Sequence, residues 1–205
     1  MDQFVLHEYA PSGNCYKIRL TAAHLGIPLE RRGYNILAGQ TRTPSFLQTV
    51  NPQGRIPVLQ VGNRFLPESN AACFFLADGT DLVPRDAFER ADMLRWMFFE
   101  QYSHEPNIAT LRFWRTVIGE AKLSAQQRAM IPSKQIAGTE AMDQLDRHLK
   151  ERDWLVDHRF TLADICLFAY SHLAEEGGFD LGSWPAIRDW IERVQNLPGH
   201  LAIDD

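Results

Sequence analysis

In the first third of the chain, short apolar runs alternate with segments rich in turn residues. Phe4-Val5-Leu6-His7 predicts a strand, stopped by Tyr9-Ala10-Pro11. Ser12-Gly13-Asn14 then supplies turn and N-cap residues. Ile18, Leu20, Ala22, Ala23 and Leu25 predict a helix over residues 15–25, closing at Gly26. A second strand is expected over residues 29–34, and a polar loop over 39–42. Thr43 as cap and Pro44 at the first helical position predict a short helix over 44–49. Residues 58–66, with the turn pair Gly62-Asn63, read as a hairpin. A further helix is expected over 70–77. The order β-α-β-α-β-β-α predicts a compact α/β layer with a small mixed sheet.

The run Gly79-Thr80-Asp81-Leu82-Val83-Pro84 breaks the pattern, and beyond it the periodicity is helical. The expected division is a first domain over 1–79, a linker over 80–85 and an all-helical domain over 86–205. Helices are predicted over 87–102, with Leu94, Met97 and Phe98 near one face, and, after an interruption at His104-Glu105-Pro106, over 108–118, 133–150, 160–173 and 184–196. Thr161-Leu162-Ala163-Asp164 is a capping box with Phe160 and Ile165 at the staple positions, which gives Asp164 a structural rather than a catalytic role.

Composition narrows the function classes. With 45% hydrophobic and 23% charged residues in 205, the chain is an ordinary globular protein. A net charge of −5 without a basic cluster argues against nucleic acid as a partner. No apolar run reaches the ~20 residues of a membrane span, so no membrane partner is expected. Met1-Asp2-Gln3-Phe4 lacks the pattern of a secretory leader. Cys15, Cys73 and Cys166 are far apart, which disfavours a disulfide scaffold and points to a reduced, cytoplasmic setting. The seven histidines show no ligand spacing, so no metal is expected.

Residues 51–69 hold the clearest binding chemistry. Pro57 cannot donate to a ladder, which places it at the mouth of a strand and leaves the Ile56 backbone at an exposed strand end. Such a backbone can pair with an extended peptide. Glu68-Ser69 opens a helix, whose N-terminus attracts a carboxylate. Together these features fit a small, acidic, peptide-like ligand.

At this point Asn51-Pro52-Gln53-Gly54-Arg55-Ile56-Pro57, Glu68-Ser69 and the box at Thr161–Asp164 resemble, in the same order, three motifs of the bacterial glutathione transferases. The resemblance spans nearly the whole length. It implies an α/β thioredoxin-like domain followed by an all-α helical-bundle domain, acting as a homodimer. It also implies that Pro57 is cis, that Ile56 pairs with the cysteinyl backbone of glutathione, and that Glu68 and Ser69 hold the γ-glutamyl ammonium and carboxylate. Arg55, Gln40 and Arg42 are candidates for the glycyl carboxylate.

Ser12-Gly13-Asn14-Cys15 lies where thioredoxin-like redox proteins carry Cys-x-x-Cys, but its first position is serine. The reacting sulfur must therefore come from the ligand. Against zeta- and theta-like members Ser12 matches the serine that bonds the sulfur. Against nu-class members Ser12-Gly13-Asn14 resembles Thr-Pro-Asn, and against beta-class members Ser12 replaces a cysteine. Ser12, then Asn14, are the expected thiolate stabilisers, with Tyr9 a weaker alternative. A hydrophobic electrophile is expected between the domains, near Tyr102, His104, Phe113 and Trp114. Conjugation of the thiolate to that electrophile is the leading expectation, with glutathione as co-substrate and no cofactor. Disulfide or peroxide reduction and a non-catalytic binding protein of the same fold are the alternatives.

Overall fold

The computed structural model describes residues 3–205 and divides them into two compact units. One runs to Asp81 and includes Pro198–Asp205; the other is Leu82–Leu197. The last eight residues, which the periodicity groups with the helical domain, thus pack with the first unit.

The first unit is built on a four-stranded mixed sheet. Strands β1 (Phe4–Glu8), β2 (Leu29–Gly33), β3 (Val58–Val61) and β4 (Arg64–Pro67) lie in the order β2-β1-β3-β4. β1 is parallel to β2 and antiparallel to β3, and β3–β4 is the expected hairpin. Helices α1 (Gly13–His24) and α3 (Ser69–Ala77) pack together on one face, where Phe4 meets Phe75 edge-on at 6.4 Å. On the other face α2 (Pro44–Thr49) places Phe46 against Tyr34, 5.0 Å between rings. α2 has the expected bounds because Thr43 accepts from the Phe46 N–H while Pro44 opens the first turn. β1 runs one residue past the expected His7, since buried Glu8 is held by Arg19 at 3.3 Å and Arg31 at 2.5 Å.

Three hydrogen bonds tie the tail into this unit. The Tyr16 hydroxyl donates to the Leu201 carbonyl at 2.5 Å, the Arg31 guanidinium to the Asp205 carbonyl at 2.8 Å, and His24 Nδ1 lies 3.1 Å from the Pro198 carbonyl.

The second unit is helical: α4 (Ala87–Phe99), α5 (Glu105–Arg112), α6 (Ala125–Leu149), α7 (Leu162–Ser171) and α8 (Pro185–Gln195). The largest departures from the expected boundaries lie beside two prolines. The interruption foreseen at His104-Glu105-Pro106 is a π-helical turn, Glu100–His104, which absorbs the hydrogen bond Pro106 cannot make and lets the helix continue. A second π-helical segment follows at Phe113–Ile118. α6 begins at Ala125 instead of residue 133, because a capping box at Ser124 and Gln127 starts it and Pro132 is carried inside.

All ten residues of α7 are buried. At its start Thr161 and Asp164 form the expected capping box: the Thr161 hydroxyl serves the first-turn amides, accepting also from Ala163 N at 3.3 Å, and Asp164 Oδ2 accepts from Thr161 N at 2.9 Å. Asp164 Oδ1 also accepts from Leu155 N (3.1 Å) and Trp190 Nε1 (3.0 Å), so this carboxylate joins three segments. Burial pushes its pKa up to about 6. Phe160 packs edge-on against Trp154 at 5.3 Å.

Candidate active site

Three segments of the first unit carry the residues singled out above: the β1–α1 turn, the loop into β3 and the start of α3. In the turn, Ser12 N donates to Tyr9 O, and Ser12 O accepts from Tyr16 N, both at 2.9 Å. The half-buried Ser12 side chain is the N-cap of α1, accepting from Cys15 N at 3.4 Å. It caps with a lone pair, so its O–H proton is left to donate elsewhere. Cys15 is fully buried and its sulfur accepts from Tyr9 N at 3.4 Å. Burial pushes that thiol up to about 12, which leaves it protonated and unreactive at neutral pH. Tyr9 contributes its main chain to the turn.

The Ile56–Pro57 peptide is cis, as the resemblance implies. Among the described residues, the Ile56 N–H and C=O have no backbone partner. The loop before it is held by Asn51, 3% exposed, whose amide donates to Arg55 O and accepts from Gln53 N, both at 3.0 Å. Gly54 has φ 63°, and a Cβ there would lie 2.9 Å from Thr41 O and 2.7 Å from Arg42 Nη1, so only glycine fits.

Of the three candidates for a glycyl carboxylate, Arg55 is exposed with no side-chain partner among the described residues. Arg42 donates to Gln53 O at 2.8 Å and so belongs to the loop's own framework. The Gln40 carbonyl accepts from Asn35 N at 2.7 Å, which leaves only its NH2 group to meet an anion.

At the start of α3, Glu68 is exposed at φ 70°, with no side-chain cap hydrogen bond. Ser69 is 6% exposed, and its hydroxyl donates to Asn14 Oδ1 at 3.3 Å. This contact joins the first turns of α1 and α3, whose amide dipoles both raise the local potential. Ser12, Asn14, Glu68 and Ser69 therefore belong to two adjoining helix starts.

The residues proposed for the second substrate divide three ways. Tyr102 is 87% exposed, and Phe113 is half-buried in the second π-helical segment. Trp114 is buried, with Lys134 Nζ 5.9 Å from its ring centre. His104 is fully buried, with Nε2 2.9 Å from Ser171 Oγ. That corrects its expected place in a pocket: the π-helical turn swings the imidazole into the interior against α7.

A concavity of about 290 Å³ lies between α2 and the sheet, floored by His7. Both imidazole nitrogens are occupied, Nδ1 by the Tyr34 hydroxyl (2.8 Å) and Nε2 by Gln60 Oε1 (2.9 Å), so His7 is a structural group. Burial lowers its pKa, in keeping with a neutral ring. Among the described residues, no cluster of three or more His, Cys, Asp or Glu could hold a metal ion.

Sequence reasoning did not give Asn51 its role as the staple of the loop, although it stands in the quoted motif. Nor did it single out Lys17 and Asn70, which join α1 to α3 beside Ser69.

Residues 3–78 match the model of the glutathione S-transferase N-terminal domain, and residues 101–198 that of the C-terminal domain. A protein named glutathione S-transferase 2 from Anopheles gambiae is 30% identical, over 93% of this chain and 90% of its own. The crystal structure of a glutathione S-transferase from Pseudomonas fluorescens is 41% identical with a TM-score of 0.92, covering 98% of this chain and 99% of that one. One from Xanthobacter autotrophicus is 36% identical with a TM-score of 0.91, covering 98% and 97%.

Proposed function

The chain belongs to the glutathione S-transferase family of enzymes, and we propose that its first unit binds glutathione and delivers the thiolate to a hydrophobic electrophile. The observation that carries this reading is the meeting of two helix starts at Ser69 and Asn14, beside an Ile56 backbone with no partner of its own. Ile56 pairs with the cysteinyl main chain. The Glu68 carboxylate accepts from the γ-glutamyl ammonium, and Ser69 with the first amides of α3 receives the carboxylate. Rotation about its C–O bond turns the Ser69 proton from Asn14 to that ligand. Arg55 and the Gln40 NH2 group are the candidates to meet the glycyl end.

The reacting thiol then lies at the start of α1. A free thiol near pKa 8.5 is a few per cent thiolate at neutral pH, and lowering it by ~2 units takes ~2.7 kcal/mol of preference for the anion. The Ser12 hydroxyl proton and the first-turn amides of α1 supply it, with Asn14 as a second donor. Glutathione enters as co-substrate, and the chemistry needs no cofactor. We place this activity in the cytoplasm, in a homodimer, with detoxification of small electrophiles as its use. Tyr102 and Phe113 remain the candidates for contact with the second substrate.

One observation favours a second reading, glutathione-dependent disulfide or peroxide reduction: Asn14 is built into the site, as in the nu-like stretch. With Cys15 held protonated, both steps of disulfide reduction would use glutathione thiols. Calorimetry with glutathione tests the shared premise, since no heat of binding at millimolar ligand sinks both readings. Comparing turnover of a chloronitrobenzene with that of a disulfide then decides between them.

A further inference from the structure

The turn that carries Ser12 is gripped from behind by a buried arginine. Helical side chains lean toward the N-terminus of their own helix. Arg19, in the second turn of α1, therefore reaches back past the helix start. Its Nη2 donates to the Ala10 carbonyl at 2.9 Å, two residues before Ser12. Its Nε lies 3.3 Å from Glu8 Oε2, at the end of β1. The Arg19 side chain is 1% exposed and that of Glu8 3%. Glu8 is fixed in turn by Arg31 of β2, whose Nε donates to Oε1 at 2.5 Å. One guanidinium thus spans the strand end and the turn that follows it.

A buried ion pair is a weak source of stability, and apolar residues of similar volume often replace one without loss. The turn gives this one another use. Ser12 Oγ meets Cys15 N at 3.4 Å, longer than an ordinary hydrogen bond from an amide, so the cap is a loose restraint on the side chain. The main chain of the turn decides where the hydroxyl stands. We propose that Arg19 is a positioning residue for the Ser12 hydroxyl, holding the Ala10 carbonyl so that the Ser12 proton meets the sulfur of glutathione. The proposal rests on the reading of Ser12 as the thiolate donor. Arg19 acts through the turn rather than on the tripeptide. Placement of this kind matters, since a shift of about 1 Å that originates away from the chemistry can cost ~100-fold in rate.

Two substitutions separate this role from a merely structural ion pair. Arg19→Met removes the hold on Ala10 and leaves Glu8 paired with Arg31. Arg19→Lys keeps a charge for Glu8, but a point-like ammonium does not reproduce the fork that meets both partners. The measurements are the absorbance of bound thiolate, the pH profile of kcat, which reports the bound thiol, calorimetry with S-methylglutathione, which has no ionisable thiol, and melting temperature.

In Arg19→Met the thiol of bound glutathione should titrate about one unit higher, a loss of about 10-fold in thiolate and in kcat near neutral pH. Arg19→Lys should shift in the same direction. S-methylglutathione should bind both variants as it binds the wild type, because Ile56, Glu68 and Ser69 are untouched. In a Ser12→Ala background Arg19→Met should lower thiolate absorbance no further, since the two act as one unit. A folded Arg19→Met protein with the wild-type pH profile and thiolate absorbance overturns the proposal. So does a full further loss in the Ser12→Ala background, or weaker binding of S-methylglutathione. If Arg19→Met does not fold, Arg19→Lys decides alone by the same readouts. Intact bound thiolate in Ser12→Ala, or failure of the wild-type chain to bind glutathione, would instead remove the functional reading on which this inference rests.

Discussion

Helix α7 starts with hydrogen bonds converging on a buried carboxylate, whereas α3 starts at an exposed residue with φ 70° and no side-chain cap. The same first-turn amides are thus handled in opposite ways within one chain. In the helical unit the need is met internally, and not only at α7. α8 has no cap of its own, yet Asp146 Oδ1 reaches from α6 to accept from Ala186 N (3.0 Å) and Ile187 N (3.3 Å). In the first unit, α1 is capped by a long 3.4 Å bond to Ser12, and α3 lacks a side-chain cap. The difference teaches how to read a helix start. One closed by a carboxylate of the chain is architecture, and one left for a carboxylate from outside is a site.

The strongest test of this contrast is to open the closed helix. Asp164→Ala strands the Thr161 and Leu155 amides and the Trp190 indole, and should cost about 3–5 kcal/mol of stability. Glutathione affinity should be unchanged wherever the protein is still folded. The same group has a pH signature. Its folded pKa of about 6 lies above the ordinary value of 3.8, so the native state takes up the proton first. Its contribution to stability therefore grows as pH falls from about 6 to about 4, opposite to ordinary acid denaturation. Urea titrations of wild type and Asp164→Asn over that range should show the gap between them widening toward acid.

Ser12 stands on both sides of the comparison, as cap and as donor, and Ser12→Ala should show both losses. About 1 kcal/mol of stability goes with the cap. About 100-fold in kcat/KM goes with the donated proton, by analogy with removal of an oxyanion donor. Ultraviolet absorbance of bound thiolate should fall in parallel; a variant with full thiolate absorbance and full activity moves the role to Asn14.

At the open helix, Glu68→Gln and Ser69→Ala should each weaken glutathione by roughly 10-fold, about 1.4 kcal/mol, with little change in melting temperature. A large thermal loss without an affinity loss would make α3 another closed start. The smallest expected effect is none: Cys15 should resist thiol reagents in the native protein, since burial holds it protonated.

What the sequence made legible were features decided within a few residues. α2 was readable because a threonine cap and a proline at the first position act locally. The same holds for the hairpin and for the proline at the mouth of its first strand, whereas the cis bond at Pro57 was expected only from the family resemblance. Features set by distant partners were not legible. Pro132 reads locally as a boundary, and only the capping box upstream carries α6 through it. His104 looked like a polar residue near a pocket, but a π-helical turn, which has no simple periodic signature, directs it at Ser171. Lys17 is spaced like any lysine on a helix, and nothing local says that the polar start of α3 will cover it.

The return of Pro198–Asp205 to the first unit has a consequence for the order of synthesis. The sheet and its three helices emerge early from the ribosome, but Tyr16, Arg31 and His24 receive these partners only after the whole helical unit has been added. In the folded chain burial pushes the Tyr16 phenol up, in keeping with a protonated hydroxyl that donates to the Leu201 carbonyl. The unit that is translated first is completed only after the second has been made.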